Sequence, residues 1–178
     1  MSVHTILKMG NPLLREISEE FSEEDILSKE TKKLILDMFE TMVDAGGLGL
    51  AAPQIGVNKQ LTVIELPCEN PRYPEVSQSE RYIIFNPKIT VLNNEKQGFW
   101  EGCLSVPGLR GFVERPKDIK ISYLDENASP KSIELSGFLA TVFQHELDHL
   151  FGKIYIDHIK DSKLLIFETE AHFLDKSE

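Results

Sequence analysis

Cysteine is scarce in this chain. Two occur in 178 residues, Cys68 and Cys103, which excludes a disulfide scaffold and fits a reducing cytoplasm. A basic excess is also missing. Lys and Arg number 19 against 29 Asp and Glu, a net charge of -10, and this argues against tight binding to a nucleic-acid backbone, which calls for basic patches. The acidic balance reads as solubility and does not define a substrate. No apolar run reaches the ~20 residues that span a bilayer. Met1 to Gly10 lacks a basic region followed by an apolar segment, so neither a membrane span nor a secretory leader is expected. With 41% hydrophobic and 27% charged residues, the composition is that of a globular protein. One domain over residues 1–178, with a sizeable core, is expected.

What is present is concentrated in Gln144-His145-Glu146-Leu147-Asp148-His149, an H-E-x-x-H pattern. Phe138, Leu139, Val142, Phe143, Glu146, Leu147 and Leu150 recur at three- and four-residue spacings, which predicts a helix. Ser136 would cap its start and Gly152 would stop it. One helical turn apart, His145 and His149 project from the same face and can grip one divalent metal, with Glu146 directed at a water. Two histidines that merely hydrogen-bond in a buried helix would give the same pattern. That alternative is weakened by the cost of burying three polar side chains without partners.

A helix is predicted over Ser28 to Ala45, with Leu34, Ile35, Met38, Phe39, Met42 and Val43 as its buried stripe. Strands are expected at Leu61 to Leu66, Tyr82 to Phe85, Ile89 to Leu92, Gly111 to Glu114, Ile119 to Leu124 and Ser132 to Leu135, with Lys153 to Ile156 as a last one. Pro67 to Glu80 reads as a surface loop, Asp125-Glu126-Asn127 as a turn, and Asp161 to Leu174 as a final helix. In that final helix Leu164, Leu165, Phe167, Ala171 and Leu174 would face inward. The fold class is α+β, with short, mostly antiparallel strands packed around a central metal-binding helix.

A catalytic metal usually has three protein ligands plus water. A third histidine six residues after His149 is ruled out, because Tyr155 stands there. Glu168 or Glu170 could serve as a glutamate ligand, although acidic residues on an exposed terminal helix are common. Cys103, in Glu101-Gly102-Cys103-Leu104-Ser105, is the other candidate: a thiolate is a strong, soft ligand for iron, zinc or cobalt. A small buried hydrophobe is the alternative role for that cysteine.

Three segments stand in order: Gly47-Leu48-Gly49-Leu50-Ala51-Ala52-Pro53-Gln54, Glu101-Gly102-Cys103-Leu104-Ser105 and the H-E-x-x-H stretch. Together they resemble the peptide deformylases of bacterial type, from Asn11-Pro12-Leu13-Leu14-Arg15 to about Asp157. The resemblance implies a metal-dependent hydrolase that removes the N-formyl group from the initiator methionine of new proteins. Attack of a metal-bound hydroxide would release formate. It implies Cys103, His145 and His149 as metal ligands, with ferrous iron the commonest metal in the family and nickel, cobalt or zinc able to substitute. It implies Glu146 as general acid and base, and Gln54 and the backbone N–H of Leu104 as oxyanion donors. Gly49 would let an extended substrate lie close. The substrates implied are N-formylmethionyl nascent peptides, in the cytoplasm and in transient proximity to the ribosome.

The methionine side chain calls for an apolar pocket. Leu48, Phe99, Phe138 and Val142 are candidates, with core packing as the competing role for each. Arg110 and Arg115 are read as peptide contacts or solvated surface charges. Asp148 is read as a support for the ligands or as a surface ion-pair partner, and His4, His158 and His172 as structural. A general zinc peptidase using Glu168 is the runner-up, and a non-catalytic metal module is the weakest reading.

Overall fold

The computed structural model describes residues 2–68 and 80–173. The chain opens with a turn of 3-10 helix, Pro12–Arg15, followed by α1 (Glu23–Leu27) and α2 (Lys29–Asp44). The hydroxyl of Ser28 caps α2 by accepting the Thr31 N–H. Ile35, Met38, Phe39 and Met42 form its buried stripe, but Val43 is exposed and Asp37 lies inside instead. That carboxylate is tolerated because it accepts hydrogen bonds from the Ser2 N–H and the Lys33 amine.

The strands are β1 (Gly49–Ala51), β2 (Leu61–Leu66), β3 (Glu80–Val91), β4 (Lys96–Cys103), β5 (Val106–Pro116), β6 (Asp118–Leu124), β7 (Pro130–Ser136) and β8 (Leu165–Phe167). Helix α3 (Gly137–Asp148) follows β7. One sheet has the order β1-β2-β3-β6-β7 and the other β4-β5-β8, and all neighbours within both are antiparallel. The α+β expectation with a central helix therefore holds.

The larger sheet lies between two helices, and its side chains sort by strand alternation. Ala51, Ile64, Leu66 and Ile84 pack with Ala140, Phe143 and Leu147 of α3, whereas Leu50, Leu61, Val63 and Phe85 pack with Met38 and Met42 of α2. A strand covered on both faces is apolar on both, and β2 supplies Leu61, Val63, Ile64 and Leu66, with Thr62 also buried. The smaller sheet carries its own cluster around Val106, Val113, Ile154 and Tyr155.

Helix α3 has Ser136 at its N-cap position without a side-chain cap hydrogen bond. Its far end closes as the sequence suggested. Gly152 is left-handed, at φ +69°, and the N–H groups of Lys153 and Gly152 return to the carbonyls of Asp148 and His149. That pair of bonds is a Schellman stop, with glycine where the backbone turns left-handed.

Several expectations need correction. Tyr82 to Phe85 and Ile89 to Val91 belong to one strand, β3, which has an irregularity between Phe85 and Lys88 and ends before Leu92. Strands β1 and β4 were not anticipated. Lys153 to Ile156 is not a strand; 3-10 helix forms at Tyr155–His158. Asp161 to Leu174 is not one helix: Ser162–Leu164 is 3-10, β8 follows, and Glu168–Phe173 is again 3-10. Its apolar spacing satisfied a helix, but pairing of Ile166 with Arg110 on β5 prevailed. Leu174 and most of the Pro67 to Glu80 loop lie outside the described residues, and Glu80 itself begins β3.

Candidate functional site

The first turns of α3 carry apolar residues into the core, and its last turn delivers His145, Glu146 and His149, each at most 8% exposed. The end of β4 brings Cys103 to them, after a register irregularity between Glu101 and Cys103 that turns the thiol inward. The ligand atoms of Cys103, His145 and His149 all lie within 4.8 Å of one another, and Cys103 Sγ is 3.3 Å from His149 Nε2. That separation is near the roughly 3.5 Å edge of a tetrahedron built with ~2.0–2.3 Å metal bonds. A soft thiolate with two imidazoles suits a borderline transition metal, so the three residues could hold one ion. Glu168, the rival ligand, is bound to Arg110 instead.

Electrostatics prepare the group. Burial pushes the Cys103 thiol up, but hydrogen bonds with His145 and His149 outweigh it and bring the pKa down to about 5. His145 is driven up in turn: burial opposes its charge, but Cys103 and Glu101 favour it more. Its Nδ1 meets Glu101 Oε2 at 2.7 Å, which leaves Nε2 for a ligand role and sets the ring's orientation. Glu101 is itself gripped by Arg115 through two bonds, at 2.7 and 3.0 Å. Arg115 also donates to Asp148, and Asp148 meets His158. Arg115 is thus neither a solvated charge nor open to a peptide; it is 4% exposed. The rings of Tyr155 and His145 stack at 5.9 Å.

Glu146 stands apart from this network. Burial pushes its carboxyl pKa up, and its Oε2 has no hydrogen-bond partner. A buried, unpartnered carboxylate oxygen is costly and marks a functional site. Gly49 lies against it: a Cβ there would stand 2.5 Å from Glu146 Cδ. The glycine therefore makes room for the carboxylate, a reason the sequence reading had not considered. Gln54 is buried as well. Its Oε1 accepts the Ala51 N–H at 2.8 Å, so its Nε2 turns to Ser105 Oγ at 3.1 Å and toward Cys103 Sγ at 3.7 Å.

These groups line a cavity of about 580 Å³. Leu48, Gly49, Leu104, Phe138 and Val142 contribute to its wall, together with Trp100, which had not been anticipated. Phe99 is absent from the lining; it meets Phe138 edge-on at 5.3 Å. Alternation along β4 explains the exchange, since neighbours on a strand face opposite sides. The Leu104 carbonyl accepts from Lys8 Nζ. His4 and His172 are not among the residues lining the cavity, and His4 meets Asp37. The supporting pair Glu101 and Arg115 was missed because their contact depends on the pairing of β4 with β5, which joins residues 14 positions apart.

A thiolate and two imidazoles that could hold one metal ion, with a buried carboxylate beside them, form an arrangement suited to a metal-dependent hydrolase. Residues 3–164 match the family profile described as Polypeptide deformylase. The chain is 54% identical to a peptide deformylase of Leptospira biflexa, over 96% of this chain and 95% of that one. It is 46% identical to peptide deformylase 1 of Bordetella pertussis, over 89% of each. Among solved structures, a class I type b peptide deformylase of Acinetobacter baumannii bound to Met-Ala-Ser superposes with a TM-score of 0.81 at 35% identity, covering 89% of this chain and 100% of that one. An Ehrlichia chaffeensis peptide deformylase in complex with actinonin gives 0.81 at 40%, covering 92% of each. The chain belongs to the polypeptide deformylase family.

Proposed function

We propose that this protein removes the formyl group from N-formylmethionyl peptides, with residues 1–178 as one catalytic domain and Cys103, His145 and His149 as the ligands of a single divalent cation. Ferrous iron is the metal proposed, with nickel, cobalt or zinc as substitutes. The observation that carries the reading is the unpartnered carboxylate of Glu146 beside the Cys103–His145–His149 group, in a member of this family. When bound, the cation would supply Lewis acidity, polarising the formyl carbonyl and acidifying a neighbouring water.

Glu146 accepts the proton of the attacking water and returns it to the departing amine. Burial, which raises its pKa, suits a carboxyl that must both take and give a proton near neutral pH. The anchored amide of Gln54 and the N–H of Leu104 donate to the developing oxyanion; such preorganised donors are each worth roughly 3 kcal/mol. Leu48, Phe138 and Val142 receive the methionine side chain, and Gly49 keeps the approach to Glu146 open. Met-Ala-Ser in the Acinetobacter relative has the form of the product left after deformylation. The work is proposed to occur in the cytoplasm, on nascent chains transiently near the ribosome, without nucleic-acid or membrane contacts. Formyl-Met-Ala-Ser and free Met-Ala-Ser, assayed side by side after anaerobic metal loading, test the reading. Formate from the first with no cleavage of the second is expected; peptide-bond cleavage without formate release would replace the reading with a general peptidase.

A further inference from the structure

The rim of the cavity carries a charge arrangement that the chemistry at its floor does not use. Lys8, Arg110 and Glu168 supply the charged side chains of the lining apart from the buried Glu101, Glu146 and His145. Arg110 donates to Glu168 Oε1 through Nε at 3.1 Å and Nη2 at 2.5 Å. Its guanidinium lies flat over Gly102, whose added Cβ would stand 3.1 Å from Arg110 Cζ. The two side chains are 33% and 51% exposed, so they border solvent while Cys103 and His145 sit behind them. Glu168 reaches this place only because β8 pairs with β5, with Ile166 opposite Arg110.

We propose that Glu168 is a specificity-determining residue that masks Arg110 and so keeps the enzyme tolerant of charge in the residues that follow methionine. The proposal rests on the deformylase reading. A peptide with its formyl end at the floor can extend only toward the open rim, so its second and third side chains pass the Arg110–Glu168 pair. With the carboxylate in place the pair is neutral and neither charge is offered to the peptide. Without it, Arg110 becomes an unpaired, partly desolvated cation in a lining that already carries the Lys8 ammonium, and acidic side chains are favoured. Without Arg110, Glu168 becomes the unpaired charge and basic side chains are favoured. Both effects belong to exposed charges and are screened by salt.

The test measures kcat/KM on formyl-Met-Xaa-Ala-amide and formyl-Met-Ala-Xaa-amide with Xaa as Glu, Gln or Lys, for the wild type, Glu168→Gln and Arg110→Gln. In Glu168→Gln the Glu-to-Gln preference ratio should rise about three- to fivefold at low ionic strength and fall back in ~0.5 M salt. In Arg110→Gln the Lys-to-Gln ratio should rise by a similar factor. Each quantity is a ratio within one protein, so a general loss of activity cancels. Ratios equal to wild type in both variants, with the Gln peptides still deformylated, would overturn the masking role and leave the deformylase reading intact. Absence of formate release from every peptide by metal-loaded wild type would instead sink that reading. Should one variant fail to fold, the reciprocal ratio in the other decides. Unfolding of both would make the pair a structural clasp and overturn the proposal.

Discussion

Behind the floor of the cavity, Arg115 meets Glu101 and Asp148 with its side chain 4% exposed, and the carboxylates are exposed by only 5% and 17%. At the rim, Arg110 meets Glu168 at 33% and 51%. The two contacts use the same chemistry, yet their physical consequences differ. A buried pair has lost its water, so removing one partner strands the other in a poor medium. A rim pair keeps part of its water, so removing one partner changes mainly the local charge. The floor can therefore set the orientation of His145, whereas the rim can change what is attracted without disturbing the group below.

The widest contrast concerns the metal. Cys103→Ala should abolish both activity and metal retention, because two imidazoles are left to hold the cation, whereas Glu168→Ala should keep its metal. Metal content after gel filtration checks both, and a metal-free Glu168→Ala protein would reverse the ligand assignment. Glu146→Gln comes next: it retains shape and should retain metal, while kcat falls by about 10²–10⁴-fold. Near-normal turnover at full metal occupancy would remove Glu146 from the proton transfers.

The ion pairs themselves should separate in stability. Arg115→Met takes the guanidinium from two buried carboxylates, leaving Glu101 only His145 and Asp148 only His158, and should cost about 3–5 kcal/mol in denaturant unfolding; a cost below ~1 kcal/mol would mean that water enters the network. The acid limb of the stability curve is a smaller effect. Burial raises the Asp148 carboxyl pKa, but His158 and Arg115 outweigh burial and hold it at about 2, below its ordinary 3.8. A depressed carboxylate stabilises the fold above its unfolded pKa, and that contribution is lost as pH falls through the folded value. In metal-stripped protein, wild type should lose about 2 kcal/mol more than Asp148→Asn between pH 5 and pH 2. Parallel curves would show that Asp148 is not held low. Smallest of all, Glu168→Ala should change stability by under ~1 kcal/mol, and a loss comparable with Arg115→Met would erase the difference between rim and floor.

Much of the floor is legible in local spacing. Four residues separate His145 from His149, and one helical turn puts them on one face whatever surrounds the helix. Gly152 lies where a left-handed residue must end that helix, and Leu61, Val63, Ile64 and Leu66 put apolar side chains on both faces of β2 because both are covered. The rim is not legible in this way. Leu164, Leu165, Phe167 and Ala171 satisfy helical spacing, yet the segment spends three residues as β8 because an edge of β5 is available for pairing. Strand β4, Lys-Gln-Gly-Phe-Trp-Glu-Gly-Cys, lacks clean alternation, since both of its faces are partly covered. Phe99 and Trp100 could not be assigned to wall or outside without knowing which face β4 turns to the cavity.

By itself the sequence determined the helix that carries His145, Glu146 and His149, the glycine that stops it, and the order of the three motifs, because these depend on contacts a few residues long. Only the tertiary structure decided that Cys103 meets His149, that Gly49 yields its side-chain space to Glu146, that Arg115 is buried between two carboxylates, and that Glu168 answers Arg110. Those contacts span 14 to 97 positions in the chain. They form only when strand register and helix packing bring the partners together, and no periodicity in the sequence records that register.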